Sequence, residues 1–114
     1  MDCIFCRIVQ GEIPCKEVYR DEHVLAFKDI HPKAPVHTLV VPRKHIPDAN
    51  GLAGVDPVLA ARLLSALAKV AEIEGVAEKG YRVILNCGPE GGQEVGHLHF
   101  HVLGGRPMGP MVCR

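Results

Sequence analysis

His97-Leu98-His99-Phe100-His101-Val102-Leu103 alternates imidazoles with apolar side chains along its length. Successive residues of a strand point to opposite faces. The alternation therefore predicts a strand from Val95 to Leu103, closed by Gly104-Gly105, with the imidazoles on one face and Leu98, Phe100 and Val102 in the core. At roughly 3.3 Å per residue, neighbouring histidines stand about 6.6 Å apart and the outer two about 13 Å. Zinc holds its nitrogens at only ~2.0–2.1 Å, so one ion takes all three only if the strand bends strongly. The run reads better as a file of imidazoles with separate tasks. A lone histidine would read as part of a polar strand face. Three in alternation beside a Gly-rich loop favour chemistry, because imidazole attacks phosphorus and shuttles protons near pH 7.

Working outward, Cys87 to Gly96 is the Gly-rich loop and Arg82 to Asn86 a strand. A long helix is predicted from Asp56, an N-cap followed by Pro57 at the first helical position, to a stop at Gly75. Leu59, Leu63, Leu67, Val70 and Ala71 form its apolar stripe. Val36 to Val41 is β-branched and apolar, a mostly buried strand ending at Pro42. Asp29 to Pro35 carries two prolines and is a loop. Lys16 to Arg20 and His23 to Lys28 form a hairpin around Asp21-Glu22, and Ile4 to Gln10 is a short helix stopped by Gly11. Five strands joined mainly by short turns, with one long and one short helix, predict an α+β domain on an antiparallel sheet.

The 114 residues are expected to form one domain over 1–114, 47% hydrophobic and 23% charged, as in ordinary globular proteins. Thirteen basic and thirteen acidic residues cancel, which argues against broad electrostatic binding to nucleic acid or to an acidic membrane. The absence of Trp, with two Tyr and three Phe, argues against a base-stacking platform. No signal-type or membrane-length apolar run is present, so a cytoplasmic location is expected. Cys3-x-x-Cys6 in a reducing compartment suits a metal better than a disulfide.

HLHFHVL matches the alternating signature of the histidine-triad (HIT) superfamily. The segments IFCRIVQGEIP, AFKDIHPKAPVHTLVVPRKHI and NCGPEGGQEVGHLHFHVLGGRPMGP resemble its Hint branch. That resemblance implies a five-stranded antiparallel sheet with two helices, a homodimer, and binding of purine nucleotides such as AMP or GMP. It also implies hydrolysis of adenosine 5′-phosphoramidates through a nucleotidyl-histidine. His99 resembles the nucleophile, His101 the partner that contacts phosphate, and His37 the fourth active-site histidine. His97 opens the triad.

For the ligand, the resemblance assigns Phe5, Ile8, Phe27 and Ile30 to the base slot. Asn86, Gly92 and Gln93 lie near the phosphate. Asp29 fits either a ribose contact or a turn cap. Two residues depart from the pattern: Glu94 stands where many relatives have serine, and His31 where a small polar residue is common. Cys3, Cys6, His45 and His97 match the ligands of zinc-containing members, and two thiolates with two imidazoles suit a closed structural zinc site. Cys15, Cys87 and Cys113 are expected to be non-ligands. Zinc is not required for the chemistry the resemblance implies. Two alternatives stand beside phosphoramidate hydrolysis: dinucleoside polyphosphate hydrolysis, and a zinc-stabilised nucleotide-binding or interaction module with incidental turnover.

Overall fold

Asp56 caps the long helix as its sequence predicts: its side chain accepts the amide of Val58, and Pro57 opens α2, Pro57–Ile73. Glu74 is the C-cap, and Gly75 (φ +77°) turns the chain out of the helix. The computed structural model describes residues 3–112. Cys113 lies outside the described residues.

Around α2 the chain forms α1 (Ile4–Val9), β1 (Glu17–Arg20), β2 (Val24–Lys28), β3 (Val36–Pro42), β4 (Tyr81–Leu85) and β5 (Phe100–Gly104). The strands make one sheet in the order β1-β2-β3-β5-β4, and every neighbouring pair is antiparallel. This is the α+β architecture expected from the sequence. In the β1–β2 turn, Asp21 Oδ1 accepts the amides of His23 and Val24. A short 3-10 helix, Ala49–Gly54, capped by Asp48, lies in a stretch for which the sequence predicted no element.

Period-two alternation sorts the sheet into two faces. Val24, Ala26, Val40, Phe100 and Val102 meet the buried stripe of α2, including Leu59, Leu63, Leu67 and Val70. Leu25, Phe27, Leu39 and Val41 lie on the other face with Cys3 and Phe5. Thr38 is fully buried, and its hydroxyl donates to Glu74 at the end of α2. That bond ties the helix to the strand carrying His37.

The predicted strand Val95–Leu103 is corrected: β5 begins only at Phe100. His97 and His99 precede it, and the Leu98 amide bonds the Ile46 carbonyl at 2.6 Å, outside the ladder. Leu98 still enters the core as the alternation requires. The remaining boundaries shift by a residue or so, with β1 starting at Glu17 and β4 at Tyr81.

Candidate active site and metal centre

Four histidines occupy the α1 side of the sheet. His37 on β3 sits opposite Leu103, and His101 on β5 sits opposite Leu39. They are therefore diagonal neighbours on adjacent strands, with His37 Nε2 to His101 Nδ1 at 2.8 Å. The ring centroids of His99 and His101 are 5.0 Å apart. This is closer than an extended strand would hold them, because the chain enters β5 from a loop.

Hydrogen-bond partners decide which nitrogen carries each proton. His99 Nδ1 lies 2.8 Å from the His97 carbonyl, which only accepts, so Nδ1 is the protonated nitrogen of the neutral ring and Nε2 carries the lone pair. The Lys33 amide donates to His37 Nδ1 at 3.0 Å, which puts the His37 proton on Nε2. That N–H donates to His101 Nδ1, with Asp29 Oδ2 a further 3.4 Å neighbour. His101 then holds its proton on Nε2. One ring-nitrogen lone pair and one donor N–H thus stand on adjacent rings.

Burial favours the neutral forms of His37, His97 and His101. It pushes His101 down to about 4, helped by His99 and His37 and opposed by Asp29. Burial also lowers His37, against the pull of Asp29. His97 is lowered by burial too, although its bond to the Pro42 carbonyl works the other way.

His97 belongs to a second cluster. Its Nε2–H donates to the Pro42 carbonyl at 2.9 Å, leaving the Nδ1 lone pair facing Cys3 Sγ at 3.3 Å, Cys6 Sγ at 3.6 Å and His45 Nδ1 at 3.1 Å. Cys6 Sγ and His45 Nδ1 are 3.3 Å apart, and all four donor atoms lie within 4.8 Å of one another. A tetrahedral zinc with ordinary Zn–N and Zn–S bonds separates two nitrogens by about 3.3 Å and a nitrogen from a sulfur by about 3.5 Å. The donor set fits a tetrahedral metal in both chemistry and spacing. Without one, burial and the neighbouring Cys3 raise the Cys6 thiol.

The family model for the HIT domain matches residues 10–108. The chain belongs to the HIT family. Its HIT relatives include the purine nucleoside phosphoramidase of Escherichia coli (strain K12), 48% identical over 112 residues that cover 98% of this chain and 94% of that protein. A HIT family hydrolase from Legionella pneumophila superposes with TM-score 0.90 at 48% identity, covering 95% of this chain and 96% of the other. A histidine triad protein from Clostridium difficile reaches TM-score 0.92 at 45% identity, covering 98% and 97%.

The remaining residues singled out from the sequence divide within this HIT fold. Phe5 meets both His97 and His99 edge-on, with centroids 5.8 and 5.2 Å apart, and meets Phe27 at 5.6 Å. Ile8 packs beside them. Ile30 is 85% exposed and borders a hollow that Asp29, His37, Pro14 and Pro35 also line. Asp29 Oδ1 accepts the His31 amide at 2.8 Å, a turn-cap bond, while Oδ2 faces His37.

In the Gly-rich loop, Asn86 donates to the Gly91 carbonyl at 2.6 Å. Gln93 accepts the Gly88 amide and donates to the Pro47 and Val95 carbonyls. Both side chains shape the loop, and Gly92 turns it with φ +80°. Glu94 is exposed and borders a surface hollow shared with Cys3, Arg7 and His45. Two groups were missed from the sequence: the Lys33 amide and the Pro42 carbonyl. Both are main-chain groups, and no side-chain pattern marks them.

The low pKa of His101 has a signed consequence for stability. A histidine held below its ordinary value stabilises the fold while it is neutral, and that contribution is lost as pH falls from about 6.5 through about 4. Thermal denaturation of wild type and His101→Gln should show wild type losing more melting temperature across that window. Parallel acid profiles would contradict the assignment.

Proposed function

We propose that the protein is a purine nucleoside phosphoramidase that cleaves the P–N bond of adenosine 5′-phosphoramidates through a nucleotidyl-histidine. The observation that carries this reading is the bond from His99 Nδ1–H to the His97 carbonyl, which leaves the lone pair of the buried ring on Nε2 as the nucleophile. The relationship to the E. coli phosphoramidase over nearly the whole chain supports the substrate class.

In this mechanism His99 Nε2 attacks the α-phosphorus and forms a P–N bond as the bond to the departing amine breaks. The amine leaves protonated with a proton drawn from solvent, and the hydrolysing water gives one back to solvent in the second step. Water then attacks the same phosphorus, releasing the nucleoside monophosphate and returning the electron pair to Nε2. His37 holds His101 in the tautomer whose Nε2–H donates to the phosphoryl group. Phe5, Ile8 and Phe27 form the apolar slot for a purine such as that of AMP or GMP. Asp29 receives the ribose hydroxyls, and the loop from Asn86 through Gly92 and Gln93 lies along the phosphate.

Cys3, Cys6, His45 and His97 would hold zinc, which when bound supplies a cross-link between α1 and the sheet. Their reduced thiols fit a cytoplasmic protein, one HIT domain over 1–114 being the working unit. The homodimer is supported by β4, an edge strand with Tyr81 and Val83 part-exposed and, among the described residues, no strand on its outer side.

Steady-state assays with an adenosine 5′-phosphoramidate should show turnover that falls at least about a thousandfold in His99→Ala. A diadenosine polyphosphate should be the poorer substrate. Full activity in His99→Ala would refute the nucleophile, and faster cleavage of the polyphosphate would favour the alternative hydrolase. Metal analysis should find about one zinc per chain in wild type and a loss in Cys3→Ser. In sedimentation equilibrium, wild type should be dimeric and Val83→Glu shifted toward monomer by the buried charge.

A further inference from the structure

His97 touches both centres at once. Its fully buried ring presents Nδ1 to Cys3, Cys6 and His45, while its backbone carbonyl receives the Nδ1–H of His99 at 2.8 Å. The group that fixes the nucleophile's tautomer therefore belongs to a residue whose side chain is a metal donor. That carbonyl precedes Phe100, the first residue of β5, so it lies outside the assigned strand. A second route runs through α1. Cys3 is its N-cap and Cys6 lies in its first turn. Between them, Phe5 sets its ring edge-on to His97 and to His99.

We propose that His97 is a positioning residue coupling the metal centre to the nucleophile. Filling the Cys3-Cys6-His45-His97 site fixes the His97 ring between the metal and the Pro42 carbonyl. The His97 main chain is held with it, and so is the acceptor that keeps the His99 proton on Nδ1 and aims Nε2 outward. The metal takes no part at phosphorus, yet its occupancy sets how fast His99 attacks. This proposal rests on the reading of His99 as nucleophile. It places the larger effect on the chemical step: Phe5 and Ile8 share α1 with Cys6, but Phe27, Asp29 and the 86–93 loop, which also receive the nucleotide in that reading, lie on elements that contribute no metal donor.

The test uses the full chain with 15N-labelled histidine. Ring nitrogen shifts, which report the proton's position, are recorded as loaded with zinc, after stripping with a chelator, and after zinc chloride is returned. The loaded protein should show His99 as one tautomer with its proton on Nδ1. Stripping should move its shifts toward a tautomeric average, and zinc should restore them. Cys6→Ser leaves His97, Phe5 and His99 in place and should give the stripped pattern at stoichiometric zinc. Single-turnover rates should fall at least about tenfold in the stripped protein and in Cys6→Ser, a larger loss than any in nucleotide affinity. Identical His99 shifts with and without zinc would overturn the coupling, as would a loss confined to Kd. Loss of shift dispersion throughout the chain on stripping would also overturn it, by making the metal a general requirement of the fold. Retained turnover in His99→Ala would sink the reading of His99 as nucleophile while leaving the ring-shift result standing, so the two failures are distinguishable.

Discussion

The hydrogen bond from His99 Nδ1 to the His97 carbonyl constrains the site more than any other contact, because it needs a free main-chain acceptor beside the sheet. β5 lies between β3 and β4, and in a central strand the amides and carbonyls are taken by neighbouring strands. Had β5 run back to Val95, as the alternation suggests, the ladder would compete for that carbonyl. The chain instead enters the strand at Phe100. Its preceding residues are held by side-chain burial and by the Leu98 amide on the Ile46 carbonyl. An irregular approach to a regular strand makes the His99 tautomer definite.

Burial does the complementary work. A protonated imidazole has no lone pair, so nucleophile, acceptor and metal donor all require neutral rings. Packing beneath α1 disfavours the charged forms of His37, His97 and His101. Burying polar nitrogens is costly unless they are bonded, and among the described residues no buried side-chain nitrogen or oxygen lacks a partner. The same burial that silences the charges leaves each ring with defined neighbours. Definite tautomers follow from that.

Most of the fold was legible in the sequence because its signals are local. Asp56-Pro57 and Gly75 bound α2, the β-branched run 36–41 gave β3, and period-two alternation placed Leu98, Phe100 and Val102 in the core. The site was legible only as a set of residue types. The alternation that identified the run also misled about its shape, since side-chain period does not reveal where a ladder ends. Ile30 illustrates the other limit: resemblance assigned it to the base slot, and no local signal in the sequence foretold that the loop after β2 leaves its side chain 85% exposed beside Asp29. The main-chain groups of Lys33 and Pro42 left no mark at all, although they decide two of the four tautomers.

Those two main-chain groups also explain why similar clusters differ in chemistry. Asp29, His37 and His101 gather their donor atoms as closely as Cys3, Cys6, His45 and His97 do. At His97 the carbonyl of Pro42 takes the ring proton, so the opposite nitrogen offers a lone pair to a cation. At His37 an amide does the reverse: the Lys33 N–H occupies the Nδ1 lone pair, and the proton stays on Nε2 facing His101. A metal there would have to expel that proton, and returning it to Nδ1 would set two N–H groups against each other. The first arrangement can ligate a metal, whereas the second can pass a proton along a row of imidazoles. The difference between them comes from whether a backbone carbonyl or a backbone amide reaches the ring.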